Sequence, residues 1–278
     1  MRARGASLAV LAAILGAGLL LTACGRAGSG SQLRLTVTGS TTVLPIAEVA
    51  AEEFQTANPG KRVLVAGVGS SAGIESVSNG TSDIGTSSRD LKPEEKSLGL
   101  VDTPIALDAV AVIVNPTNPV TGLTKAQVGA MFEGTITNWN EVGGPDLAIG
   151  LVNRDEASGT REAFSKLVLA GKDFDPTAAV LPGTGQVRSV VAQAKSAVGY
   201  ISLGFVDPTV KALSIDGIVP DENTVADGSY PVSRLLHFFT KGAPTGLTKA
   251  YIDFVLSPQV QDEVVRDAGF LPIPKGAK

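Results

Sequence analysis

The sequence predicts an α/β fold divided into two lobes, and three observations carry that expectation. From Leu33 onward, strand-like and helix-like stretches alternate, the pattern of mostly parallel sheets covered by helices. At 278 residues the chain is long for one core and comfortable for two. Four strand-like stretches run into clusters of glycine and hydroxyl residues, each followed by a helix-like stretch. The clusters are Gly39-Ser40-Thr41-Thr42, Gly69-Ser70-Ser71-Ala72-Gly73, Gly85-Thr86-Ser87-Ser88 and Ser158-Gly159-Thr160.

Residues 33–38 alternate apolar and polar side chains, as a half-buried strand does. Pro45 suits an early helical turn, and Ile46, Val49, Ala50 and Phe54 follow at helical spacing. Asn58-Pro59-Gly60 stops that helix. Residues 62–68 read as a second strand, 74–78 as a short helix, 83–85 as a strand edge and 91–98 as a polar helix. A long apolar strand, 105–115, ends at Pro116, where a second lobe begins. Thr124 and Gln127 form a capping box for a helix over 124–132. A strand over 147–153, helices over 160–169 and 187–195, and a strand over 197–202 complete that lobe. A strand at 235–239 and a helix at 249–256 close the chain. Gly-Leu-Thr-Lys-Ala occurs at 122–126 and again at 246–250, a shared grammar of helix starts.

Composition is that of a soluble globular protein, 44% hydrophobic and 18% charged. The 23 basic and 27 acidic residues leave a net charge of −4, which argues against nucleic acid or an anionic membrane surface as partner. An anionic ligand would have to be attracted locally. The N-terminus reads as an export leader: Arg2 and Arg4 head an apolar run over 8–21 that is too short for a comfortable membrane span. Leu21-Thr22-Ala23-Cys24 places the only cysteine where a bacterial lipobox requires it. Residues 1–23 are then a leader, Cys24 the lipid-modified first residue, and 24–31 a Gly/Ser tether holding the protein outside the cell membrane. With one cysteine no intramolecular disulfide can form.

A helix start leaves amide hydrogens unpartnered and carries partial positive charge. Small residues let an anion approach it, and serine or threonine hydroxyls add donors. Arg154 follows an apolar strand, so it sits at the strand's carboxyl end, where open α/β sheets bind ligands. Its guanidinium can grip an oxyanion, with Glu156 fixing it and Ser158, Gly159 and Thr160 supplying further donors. Other motifs are weaker. Gly67-Val68-Gly69-Ser70-Ser71-Ala72 fits a dinucleotide pattern, yet it follows the second strand and not the first. Ser71 fits the nucleophile position of a Gly-x-Ser-x-Gly motif. Its only histidine is His237, in an apolar strand-like run where a packed imidazole is the simpler account. One histidine, one cysteine and no calcium-loop spacing leave no support for a metal site. Trp139 reads as a packing residue beside a turn.

Six segments in order resemble the extracytoplasmic phosphate-binding proteins of ABC transporters. They are Thr-Gly-Ser-Thr-Thr-Val at 38–43, Gly-Val-Gly-Ser-Ser-Ala-Gly at 67–73 and Asp-Ile-Gly-Thr-Ser-Ser-Arg at 83–89. Phe-Glu-Gly at 132–134 with Trp139, Arg-x-Glu-x-Ser-Gly-Thr-Arg at 154–161, and Gly-Tyr-Ile-Ser-Leu-Gly at 199–204 complete the set. The resemblance implies a type II periplasmic-binding-protein fold, two α/β domains joined by two crossover strands. The crossovers would lie near 113–115 and 231–234, making lobe one 32–113 plus 234–278 and lobe two 114–233. It implies inorganic phosphate held between the lobes by Ser40, Thr41, Thr42, Ser70, Ser88, Arg154, Ser158, Gly159 and Thr160. It also implies a monomer that delivers phosphate to an ABC permease, with no cofactor and no catalytic residue. Many relatives carry an aspartate in the third loop, where this chain has Ser88, so like-charge rejection of sulfate is absent there. A receptor for sulfate or molybdate, and a secreted serine hydrolase built on Ser71 and His237, are the alternatives.

Overall fold

The computed structural model describes residues 33–273. The expected leader, Cys24 and the tether lie outside the described residues. The first strand, β1 (Leu33–Gly39), buries Leu35 and Val37 in alternation. Helix α1 (Leu44–Ala57) carries its proline in the first turn and buries Ile46, Ala47, Ala50, Ala51 and Phe54 along one face. After β2 (Lys61–Gly67), helix α2 (Ser70–Asn79) ends at Gly80 in the left-handed conformation. Strand β3 (Ile84–Ser87) is buried throughout, and β4 (Leu100–Val114) is the longest strand described.

Next come β5 (Gly122–Leu123) and α3 (Lys125–Phe132), whose N-terminus carries the expected Thr124–Gln127 capping box. The chain continues through β6 (Gly150–Arg154), α4 (Gly159–Phe164), β7 (Ala179–Leu181), α5 (Thr184–Gln193) and β8 (Ala197–Ser202). Short strands β9 (Lys211–Ala212) and β10 (Ser214–Ile215) and helix α6 (Glu222–Ala226) lead to β11 (Ser233–Lys241) and α7 (Gly246–Val255). One expected helix is shorter in the structure, since residues 91–98 hold one 3₁₀ turn at Glu95–Leu98. The 160–169 helix runs its full length, as α4 followed by a π-helical turn at Ser165–Leu169.

Among the described residues nine strands form one sheet, in the order β2-β1-β3-β11-β4-β8-β6-β7 with β9 also on β4. The sheet is mixed, which departs from the mostly parallel expectation. β2, β1 and β3 run parallel, as do β8, β6 and β7, while β11 and β4 run antiparallel to their neighbours. Strand β4 pairs with β11 up to Ala109 and with β8 from Val110 onward. One hydrophobic cluster joins Val37, Phe54, Phe238 and Tyr251, and a second joins Val112, Phe132, Trp139, Phe164 and Tyr200. Period-two alternation divides the end of β4: Val110, Val112 and Val114 face the second cluster, while Ala111 and Ile113 face a third with Val187 and Val191. Trp139 is fully buried and its indole N–H donates to the Ser196 carbonyl at 2.9 Å, so it is a packing residue. Among the described residues no helix is long and apolar enough to cross a membrane.

Candidate functional site

Four strands separate β1 from β6 in the sheet, yet the hydroxyl-rich loops at the starts of α1, α2, α4 and α5 meet through hydrogen bonds. Arg154, the last residue of β6, is 2% exposed. Its Nε donates to the Leu181 carbonyl at 3.2 Å and one Nη2 hydrogen to the Pro182 carbonyl at 2.9 Å. Its Nη1 donates to Thr184 Oγ1 at 3.0 Å, and Nη2 also reaches Thr41 Oγ1 at 3.2 Å. Thr184 Oγ1 lies 3.1 Å from Thr41 Oγ1 and 3.4 Å from Thr42 Oγ1, and Thr42 Oγ1 lies 3.1 Å from Thr160 Oγ1. Arginine can only donate, so the Thr41 and Thr184 hydroxyls accept from Arg154, and their own hydrogens can turn to a neighbouring hydroxyl or to a bound acceptor.

On the other side of this cluster Ser70 Oγ accepts from the Ser88 amide at 3.1 Å and lies 3.3 Å from Ser88 Oγ. Gly159 closes the gap between the two sides. A Cβ on Gly159 would stand 2.3 Å from Ser70 Oγ and 2.8 Å from Ser88 Oγ. Gly69 fits as closely against the same loop: its φ is +104°, and a Cβ there would stand 2.8 Å from the Ala157 carbonyl. The Ser71 amide donates to that carbonyl at 3.1 Å. Helices α1, α2 and α5 begin without a side-chain cap, although the Leu44 amide donates to the Ser40 carbonyl and the Ser71 amide to the Ala157 carbonyl.

Seven expected residues, Thr41, Thr42, Ser70, Ser88, Arg154, Gly159 and Thr160, are thus brought into one cluster. Two others serve the loops themselves. Ser40 Oγ accepts from the Thr42 and Val43 amides at 3.2 and 3.4 Å, and Ser158 caps α4 by accepting from the Arg161 amide at 3.2 Å. Glu156 does not hold the guanidinium: its side chain is exposed, and Arg154 takes part in none of the ion pairs among the described residues. Burial pulls Arg154 below the usual arginine range and nearby Arg234 adds to that pull, while Tyr200 and Asp155 oppose it. The carboxylate that acts on Arg154 is therefore Asp155. The third cluster also differs from expectation, since Gly85-Thr86-Ser87 lies within β3 and a turn, not a helix, follows.

Sequence reasoning missed Thr184, Arg234 and Asp108. Gly183-Thr184 at the start of α5 repeats the small-plus-hydroxyl signal that marked the other loops. Arg234 and Asp108 gave no such signal, because each lies inside an apolar strand. Asp108 Oδ2 accepts from Arg234 Nε at 3.0 Å and Nη2 at 2.9 Å, and Asp108 Oδ1 accepts from Ser202 Oγ at 2.7 Å. Arg234 Nη1 donates to the Ser88 carbonyl at 3.0 Å, and Nη2 lies 3.5 Å from Thr42 Oγ1. Burial opposes both charges, raising Asp108 and lowering Arg234, and each partner's opposite charge offsets the penalty. Arg234 also lines a cleft of about 600 Å³ together with Arg89, Lys92, Glu162 and Lys166. Ion pairs span that cleft, Lys92 with Glu162 at 3.3 Å and Lys166 with Asp90 at 3.4 Å.

The hydrolase pair is not assembled. Ser71 Oγ accepts from Arg89 Nη2 at 3.2 Å, whereas His237 Nδ1 pairs with Asp102 at 2.8 Å and its ring stacks on Phe239. Among the described residues no cluster of histidine, cysteine or carboxylates is arranged to hold a metal ion.

Converging loop hydroxyls around a buried guanidinium, at the carboxyl ends of strands in an α/β sheet, are the arrangement of a ligand-binding receptor. A profile described as a PBP superfamily domain matches residues 25–259, and the chain belongs to that superfamily. Within it the chain groups with proteins named phosphate-binding protein PstS. It is 35% identical to the one from Bacillus subtilis, across 92% of this chain and 90% of that protein. It is 30% identical to the one from Pseudomonas aeruginosa PAO1, across 88% and 85%. Among solved structures it is similar to a candidate phosphate ABC transporter substrate-binding protein from Clostridium perfringens with bound phosphate. That match has a TM-score of 0.84 and 38% identity, covering 87% of this chain and 100% of that one. An ABC-type phosphate transport receptor from Vibrio cholerae superposes with a TM-score of 0.74 at 35% identity, covering 86% and 100%.

Proposed function

We propose that this chain is the extracytoplasmic substrate-binding protein of a phosphate ABC transporter, holding inorganic phosphate among the loops that follow β1 and β6. The observation that carries the reading is Arg154: a buried guanidinium with no carboxylate ion-pair partner among the described residues, surrounded by hydroxyls that can turn their hydrogens to a guest. A buried positive charge with no carboxylate in contact is costly, and a bound anion supplies that contact. The names of the Bacillus and Pseudomonas relatives and the phosphate bound in the Clostridium structure support phosphate as that anion.

Thr41, Thr42, Ser70, Ser88, Arg154, Gly159, Thr160 and Thr184 form the anion site, with Ser40 and Ser158 shaping its loops. Hydrogen bonds to a charged group contribute about 1.5–3 kcal/mol each, and micromolar affinity needs about 8 kcal/mol, so a few such bonds offset desolvation. Lobe one comprises 32–113 plus 234–278 and lobe two 114–233; the change of neighbours at Ala109/Val110 in β4 supports a crossover in that strand. Closure of the lobes on phosphate presents the surface a permease reads, and a lipid on Cys24 keeps the monomer at the outer face of the membrane. Calorimetric titration of phosphate-stripped protein tests the reading. Micromolar or tighter phosphate binding supports it, while tight sulfate binding with none for phosphate replaces it with a receptor for another tetrahedral oxyanion.

A further inference from the structure

Arg154 is not the only guanidinium at the cluster. Arg234, whose side chain is 5% exposed, fixes Ser88 through the 3.0 Å bond from Nη1 to its carbonyl. The Ser88 amide is already committed to Ser70, so both backbone groups of Ser88 are held and its hydroxyl is presented to the cluster. Arg234 Nη2, 3.5 Å from Thr42 Oγ1, points a second positive charge at the same hydroxyls. Its counter-charge, Asp108, has a fully buried side chain and accepts from that same Nη2 at 2.9 Å. A pair serving the fold alone would need no bonds to two loops of the cluster.

We infer that Asp108 limits anion affinity by neutralising Arg234, a second guanidinium of the site. This inference rests on reading the cluster as a tetrahedral-oxyanion site. Arg154, Arg234 and Asp108 together carry one net positive charge, and without the Asp108 charge the two arginines carry two; Asp155 is unchanged in either case. Limiting the affinity suits a receptor that must release its cargo, since the attraction of a doubly charged anion grows with each uncompensated guanidinium.

Asp108→Asn removes the charge and keeps the shape. The amide oxygen accepts from Arg234, and its NH₂ donates to Ser202 Oγ, a hydroxyl able to accept in turn. The expected result in calorimetry at fixed pH and salt is phosphate and sulfate binding tighter by about tenfold, with a larger loss on adding salt. A folded Asp108→Asn protein that binds both anions as wild type does, or more weakly, overturns the inference. The double variant Asp108→Leu with Arg234→Met replaces the pair with apolar bulk, an exchange that buried ion pairs often tolerate. Its net site charge is unchanged while the hold on Ser88 is lost, so binding should weaken by about tenfold. Wild-type affinity in the double variant overturns the inference even if Asp108→Asn fails to fold. Wild-type protein that binds sulfate but not phosphate ends the phosphate reading and leaves this one to be judged on sulfate. Wild-type protein that binds neither ends both.

Discussion

Arg154 Nη2 donates to Thr41 Oγ1 at 3.2 Å, joining the end of β6 to the loop after β1 across 113 positions of sequence. The same guanidinium is anchored from behind by the Leu181 and Pro182 carbonyls. Its position is therefore fixed by β7 and α5, and its remaining contacts are hydroxyls that can turn toward a guest.

Removing that charge should abolish binding. Arg154→Ala is expected to weaken phosphate affinity by at least ~100-fold, the loss of two or more charge-assisted bonds. Arg154→Lys should recover little, because a point charge cannot reproduce the fork. Calorimetric titration of each variant, with circular dichroism confirming the fold, decides the matter; near-wild-type affinity in Arg154→Ala removes it from the site.

Gly159→Ala probes the close approach of the two sides. The added methyl meets Ser70 Oγ at 2.3 Å and Ser88 Oγ at 2.8 Å, so the loops must separate. Phosphate affinity is expected to fall at least tenfold while the thermal midpoint of the ligand-free protein changes little. Unaltered titration curves would show that the loops have slack.

Tyr200 positions Arg154 indirectly. Its hydroxyl donates to Asn153 Oδ1, the atom that accepts from the Arg154 amide at 2.8 Å, and its ring stacks on Phe164 with centroids 4.1 Å apart. Tyr200→Phe keeps the stack and deletes the hydroxyl. Chemical denaturation should show a loss of about 1–2 kcal/mol, and phosphate binding should weaken several-fold. No change in either measurement would make the hydroxyl dispensable.

Glu95 gives a pH-dependent term in stability. Burial raises its carboxyl, but the bonds from Arg89 and the Lys92 amide outweigh that and leave it below 4.5. A depressed carboxyl contributes stability above its ordinary value, and that contribution is lost as pH falls through the folded-state value. Glu95→Gln should therefore unfold more easily than wild type near pH 7, and the gap should close as pH drops below 4.5. A gap that persists in acid would assign the effect to packing.

Much of this site was legible in the sequence because its signals are local. Glycine beside serine or threonine at the end of an apolar strand marks a loop that a ligand can approach, and Thr41, Thr42, Ser70, Arg154, Gly159 and Thr160 were found that way. Thr184 carried the same signal in a weaker strand, since β7 is three residues long and partly exposed. Asp108 and Arg234 were invisible for another reason. They are polar residues inside apolar strands, their partners lie 126 positions apart, and only the antiparallel pairing of β4 with β11 brings them together. The alternation of elements revealed the α/β class, but strand direction is set by long-range pairing, so the mixed sheet was not readable from local pattern. Glu156 illustrates the opposite error: nearness in sequence to Arg154 suggested a contact, whereas the turn after β6 sends its side chain into solvent.

The place of β11 has a consequence for how the molecule is made. This strand is encoded near the end of the chain yet lies between β3 and β4 in the middle of the sheet. Until its residues leave the ribosome the sheet has a gap at its centre: β3 can pair only with β1, and β4 only with β8 and β9. The sheet of the nascent polypeptide thus stays unfinished through most of its synthesis.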